Sequence, residues 1–215
     1  MQIAIVLYDR FTALDAVGPY QVLTSLPGAE VVFAAEQPGP VTDDVGRLNL
    51  TAEVALADLP RPDIVLVPGG PGQNDQMKDG PLHEWLRAAD KTTGWTTSVC
   101  TGSLILAAAG LLQGRRATSY WMALRQLEQH GTIPVAERVV FDGKYVTAAG
   151  VSAGIDMALT LAGRIAGDEA AQAIQLGIEY DPQPPYHAGS PDNAPAAIVR
   201  RLESRSRFIL TARPT

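Results

Sequence analysis

Short β-branched apolar runs alternate with longer helical patterns along most of this 215-residue chain, and that alternation constrains the fold more than any other feature. Residues 3–7, 31–35, 63–67 and 95–99 each read as a buried strand. Helical patterns occupy residues 17–26, 81–90, 104–111, 152–166 and 168–177. Pro19 is expected in the first turn of its helix, where its missing N–H costs nothing. Residues 138–141 and 145–147 flank Asp142-Gly143-Lys144 and read as a β-hairpin, because Asp-Gly suits a tight primed turn. Alternation of this kind predicts an α/β protein, a three-layer sandwich around a mostly parallel central sheet.

The only cysteine, Cys100, stands where one such strand meets one such helix. The run Trp95-Thr96-Thr97-Ser98-Val99 enters it, and Thr101-Gly102-Ser103-Leu104 leaves it. A strand, a sharp turn and a helix with a thiol at the corner form a nucleophile elbow, which lifts the side chain out of the sheet. The helix N-terminus aims backbone N–H groups at the sulfur, and its dipole is expected to favour the reactive thiolate. A cysteine that merely packs as a small hydrophobe is the competing reading.

Composition narrows the partners. Lys and Arg number 17 against 23 Asp and Glu, a net charge of −6, so the chain lacks the cationic surplus that nucleic-acid phosphates require. No segment approaches the roughly 20 apolar residues of a membrane helix. The N-terminus reads as a first strand with neither a basic leader nor a cleavage site. One cysteine and three histidines are too few and too scattered for a structural metal site. A lone cysteine makes no internal disulfide and fits a reducing cytoplasm. The polar stretch 180–195 is expected to be an extended connector, and 194–207 a final helix whose Arg200, Arg201, Arg205 and Arg207 form a solvated basic face. With no repeat or linker, residues 1–215 are read as one domain.

In open parallel sheets, sites form beyond the carboxyl ends of the strands. Three segments fall there: 11–19, Pro68-Gly69-Gly70-Pro71-Gly72 and the Cys100 corner. Asp15 lies between Leu14 and Ala16, where partial desolvation would raise its pKa and suit it to proton transfer. Helix capping by Asp15 explains the same residue equally well. Gly69 and Gly70 bring backbone N–H groups near a developing negative charge, or simply make a turn. The turn lacks the Lys and Ser/Thr of a phosphate-binding loop. His83 on a surface-like helix, His130 at a helix end and His187 in the connector are poor partners for the cysteine, which argues against a Cys-His protease.

Together these segments resemble the ThiJ/PfpI superfamily, with its flavodoxin-like fold akin to class I glutamine amidotransferases. The resemblance rests on Leu14-Asp15-Ala16-Val17-Gly18-Pro19, Val67-Pro68-Gly69-Gly70, the Cys100 corner, the run 108–118, Ser152-Ala153-Gly154-Ile155-Asp156 and Gly189-Ser190-Pro191-Asp192. The first and last of these are similar to its isocyanide-hydrating branch. That resemblance implies a small isocyanide and water as substrates, a Cys100 thioimidate intermediate and an N-substituted formamide as product. It implies Asp15 as proton donor and acceptor, the Gly70 and Thr101 N–H groups as oxyanion-type donors, no metal or organic cofactor, and a homodimer. Tyr120 stands where relatives often carry a histidine. Many relatives are transcription regulators with an added DNA-binding module, for which the chain beyond Arg213 leaves no room. Two other activities stay open, a redox or stress sensor using the same thiol and glyoxalase-like chemistry on small aldehydes.

Overall fold

The computed structural model of the chain describes residues 1–205. In chain order its strands are β1 (Gln2–Val6), β2 (Glu30–Ala35), β3 (Gly39–Thr42), β4 (Asn49–Ala52), β5 (Val54–Ala55), β6 (Ile64–Val67), β7 (Trp95–Val99), β8 (Arg116–Ala117), β9 (Ile133–Pro134), β10 (Val139–Asp142) and β11 (Tyr145–Ala148). Its α-helices are α1 (Ala13–Leu23), α2 (Pro81–Asp90), α3 (Gly102–Ala108), α4 (Ala153–Ala166), α5 (Asp168–Gly177) and α6 (Ala196–Glu203). A seven-stranded sheet runs β10-β11-β7-β6-β1-β2-β5, parallel throughout except for the β10–β11 hairpin. The expected α/β sandwich with a mostly parallel sheet is the architecture found.

Burial explains the strands. Ile3 to Val6 and Ile64 to Val67 are buried on both faces, as central parallel strands require, so no polar alternation marks them. On α2, Leu82, Trp85, Leu86 and Ala89 recur at helical spacing and bury one stripe, and the Trp85 indole donates to the Leu59 carbonyl at 2.9 Å. One helical layer joins α1 to α4 and α4 to α5, while α2 and α3 pack together in the other.

The topology fixes where a site can form. The chain leaves β1 for β2 on one side, then returns to lay β6 on the other. Strand order reverses at β1 and β6, and the carboxyl ends of such a pair open a crevice. The segments after β1, β6 and β7 all meet there.

Several expectations need correction. The first helix begins at Ala13 with Thr12 as its N-cap, four residues before the position read from the sequence. Asp15 therefore lies inside the first turn and is not the cap, and Pro19 falls in the helix interior. Close packing of α1 on α4 accounts for this Gly-Pro pair: a Cβ on Gly18 would lie 3.1 Å from Ile155, and Pro19 itself lies against Gly154. The Pro38-Gly39-Pro40 break opens a hairpin of β3 and β4. Asp43 holds its far end by accepting the N–H groups of Gly46, Arg47 and Leu48 at 2.8, 3.0 and 3.1 Å. The helix after Cys100 spans Gly102–Ala108, shorter than 104–111 at its end because Gly110 adopts a positive φ of 84°. The final helix ends at Glu203 among the described residues, and Arg207 lies outside them.

Candidate active site

Cys100 follows β7 directly, with φ at 57°, a conformation that non-glycine residues seldom adopt. Its surroundings hold it there. The Cys100 N–H donates to the carbonyls of Ala148 and Ala149, both at 3.1 Å. Its own carbonyl accepts the Ser119 hydroxyl at 3.0 Å and the Ser103 hydroxyl at 3.2 Å. Backbone strain of this kind persists only where neighbours over-determine it.

Two glycines let the three segments converge. A Cβ on Gly102 would sit 2.1 Å from the Val67 carbonyl oxygen, so only glycine lets α3 start this close to the end of β6. A Cβ on Gly69 would lie 2.5 Å from the Thr101 nitrogen and 2.8 Å from the Cys100 Cβ. Gly69→Ala is therefore expected to force the turn away from the thiol. We expect a stability loss of about 1–3 kcal/mol, the usual cost of overpacking, read as a lowered midpoint in urea unfolding.

Asp15 reaches this point from α1. It is fully buried, and its Oδ2 accepts the Gly69 N–H at 2.9 Å. Burial pushes its carboxyl up to about 7, opposed by the Gly69 N–H and by the neighbouring Cys100 thiol. The Cys100 thiol is pushed well above the ordinary range, first by burial and next by the charge of Asp15. The N–H groups of Thr101 and Val151 bond to the sulfur and act the other way. This corrects the thiolate expected from the helix dipole, because a few oriented N–H groups do not offset full desolvation beside a carboxylate. Below about pH 7 both buried groups hold their protons, and above it the thiol faces the Asp15 carboxylate.

The Gly70 N–H donates to the Thr101 Oγ1 at 3.0 Å, tying the glycine turn to the cysteine corner. Tyr8, which carries no motif in the sequence, closes the far side of that turn by donating its hydroxyl to the Pro68 carbonyl at 2.7 Å. Burial, and then the charges of Asp15 and Cys100, push its phenol well up. Tyr8→Phe is expected to leave the Pro68 carbonyl without this donor and to lower stability by about 1–3 kcal/mol, measured by chemical unfolding.

The structure thus brings Asp15, Gly69, Gly70, Cys100 and Thr101 together. The histidines stay apart from them. His83 is buried, contrary to its surface reading, with its Nε2 2.8 Å from the Gln76 carbonyl oxygen. Among the described residues no group of three His, Cys, Asp or Glu side chains converges on a metal position. Likewise, no helix is long and apolar enough to cross a membrane. A cavity of about 340 Å³ lies beyond Ser119 and Val151, lined by them and by Tyr120, Trp121, Leu124 and the tail Gly189–Asp192 among others. The amide of Val151 and the hydroxyl of Ser119 were not legible as parts of the site. Their only sequence signal was nearness to the segments that carry the family resemblance.

Residues 1–164 match the model of the DJ-1/PfpI family, and the chain belongs to that family. It is similar to the isonitrile hydratase of Pseudomonas putida, with 44% identity over 206 residues, or 96% of this chain and 90% of that one. Its fold superposes on a ThiJ/PfpI family protein from Pseudomonas syringae with a TM-score of 0.92 at 36% identity, covering 95% of this chain and 85% of that one. Drosophila melanogaster DJ-1beta shares the fold with a TM-score of 0.74 at 23% identity, covering 83% of this chain and 97% of that one.

Proposed function

We propose that this protein is an isocyanide hydratase, converting isocyanides and water to N-substituted formamides. The observation that carries the reading is the fully buried Asp15 carboxyl acting on the equally buried Cys100 thiol, with no histidine among the groups that shift that thiol. The 44% identity to an isonitrile hydratase over nearly the full chain supports it.

The chemistry needs a group that relays a proton at every stage. Asp15, as carboxylate, takes the Cys100 thiol proton while the sulfur attacks the terminal carbon of R–N≡C. A carbon–sulfur bond forms, and the Asp15 proton passes to that same carbon, giving the thioimidate S–CH=N–R. Water then adds to the thioimidate carbon as Asp15 accepts its proton and passes it to the nitrogen. Collapse of the adduct forms the carbonyl and breaks the carbon–sulfur bond, the hydroxyl proton passing through Asp15 to the departing sulfur, and releases HC(=O)–NH–R with the thiol restored. In both stages the Gly70 and Thr101 N–H groups turn to negative charge at the adduct, as oxyanion donors do. In the resting protein the first is held by Thr101 Oγ1 and the second by the sulfur.

The same pair weighs against a redox-sensing role. Peroxide attacks thiolates, and sensor cysteines are typically exposed with a depressed pKa. Cys100 is 1% exposed and its thiol is pushed up. Glyoxalase-like chemistry would want a histidine beside the thiol, and Tyr120 stands where relatives often carry one.

Conversion of an isocyanide to its formamide by purified protein, followed by chromatography, tests the proposal. Product from several small isocyanides supports it. None from any of them overturns it.

A further inference from the structure

In the thioimidate S–CH=N–R the N-substituent hangs two atoms beyond the sulfur, on carbon and nitrogen centres that are both bent, and some recess near the thiol must receive it. The cavity of about 340 Å³ beyond Val151 and Ser119 is of a size to do so, at the small end of ligand pockets, roughly 300–1,000 Å³. Val151, whose N–H bonds the sulfur, and Ser119, whose hydroxyl donates to the Cys100 carbonyl at 3.0 Å, both line it.

Its wall is aromatic. The Tyr120 and Trp121 rings lie 5.9 Å apart at 56°, and the Trp121 side chain hydrogen-bonds the tyrosine hydroxyl, which fixes the pair. Tyr120 lies directly over Gly150, where a Cβ would come within 2.7 Å of its ring. The glycine lets the ring settle on the same backbone turn that presents the Val151 N–H to the sulfur. Leu124 adds an aliphatic surface.

The charges at the rim are already engaged or are negative. Arg138 pairs with Asp156 and reaches the Ser152 hydroxyl at 3.3 Å. Glu137 pairs with Arg116 at 3.1 Å, and Asp192 brings a further carboxylate. An anionic substituent would meet carboxylates without an uncommitted cation.

We propose that this cavity receives the substrate's N-substituent and that Tyr120 selects a neutral, aromatic one. The proposal rests on the hydratase reading for its substrate, but its binding step can be tested separately. Phenyl isocyanide, ethyl isocyanide and isocyanoacetate are compared by kcat/KM, and N-phenylformamide and N-ethylformamide by calorimetric binding. The native protein prefers phenyl over both others. Tyr120→Ala lowers kcat/KM for phenyl isocyanide about tenfold more than for ethyl isocyanide, within the 10–200-fold that pocket contacts of this size control. Tyr120→Phe, which keeps the ring, holds the ratio. Preferred turnover of isocyanoacetate, or a ratio unmoved by Tyr120→Ala, overturns the proposal. Where no isocyanide is hydrated, Tyr120-dependent binding of N-phenylformamide sustains the recess and removes only the hydratase reading, whereas binding indifferent to Tyr120 overturns the recess too.

Discussion

Cys100→Ala is expected to hydrate no isocyanide at a detectable rate while keeping its fold. The loss follows from the chemistry, because a terminal isocyanide carbon resists water and needs a covalent step that splits one hard addition into two easier ones. The hydroxyls around Cys100 are engaged with the backbone, those of Ser103 and Ser119 on the Cys100 carbonyl and that of Thr101 with the Gly70 N–H. Asp15 is occupied as the proton carrier, and Tyr8 holds its hydroxyl against the Pro68 carbonyl. Folding should survive because the corner is held by backbone and hydroxyl groups that do not involve the sulfur. These are the Cys100 N–H on Ala148 and Ala149, and the Ser103 and Ser119 hydroxyls on the Cys100 carbonyl. Cys100→Gly sharpens the point: a glycine at φ 57° relieves a strained position, so this variant should be inactive without the misfolding that would otherwise explain inactivity. Formamide production with circular dichroism alongside makes the check. Turnover by either variant above a few per cent of native would remove the thioimidate route.

The sheet was legible because its strands are buried on both faces, and a run such as Ile64-Val65-Leu66-Val67 between a proline-rich turn and a charged segment admits few other readings. The hairpin from Gly39 to Ala52 was not legible. Two prolines suggested a break, and its stability comes from three N–H groups gathered by Asp43, which no periodicity reveals. The start of α1 escaped for a related reason. Thr12 makes no side-chain capping bond, so the usual signal was absent, and Asp15 resembled a cap more closely. Residue types and strand ends pointed to Cys100, Asp15 and the glycine turn. Their electrostatics could not be read in the same way. A helix N-terminus is a local feature visible in sequence, whereas desolvation is produced by the whole core, and at Cys100 the second outweighs the first. Tyr8 shows the same limit: it stands only seven residues before Asp15, yet its contribution passes through a carbonyl 60 positions away.

Asp15→Asn is expected to cut hydration by about 10²–10⁴-fold, the range over which one positioned acid–base group usually acts, and also to make the protein more stable at alkaline pH. The amide can keep the Gly69 N–H bond through its oxygen, so geometry is preserved while the proton carrier is lost. In the native enzyme kcat/KM should climb as pH rises through about 7, where the buried carboxyl ionises and becomes able to take the thiol proton. The variant should lack that rise. Stability moves in the opposite direction. The folded protein holds its Asp15 proton up to about pH 7, against 3.8 for an ordinary aspartate, so between those values the folded state binds more protons than the unfolded one. Native stability therefore falls with rising pH across that window, and above it the full cost of a buried carboxylate is present. Asparagine carries no such cost. Its advantage should be on the order of a few kcal/mol at pH 8–9, because each tenfold difference in proton affinity between folded and unfolded chain is worth about 1.4 kcal/mol. That advantage should close as pH falls toward 4. Thermal melts of both proteins across that range, with activity measured on the same samples, decide the matter. A variant that melts lower than native at pH 9 would mean that Asp15 is retained for structure, and a variant that turns over normally would move the proton chemistry to another group. Both gains and losses in the expected directions would mark Asp15 as a charge kept in the core for catalysis at the expense of stability.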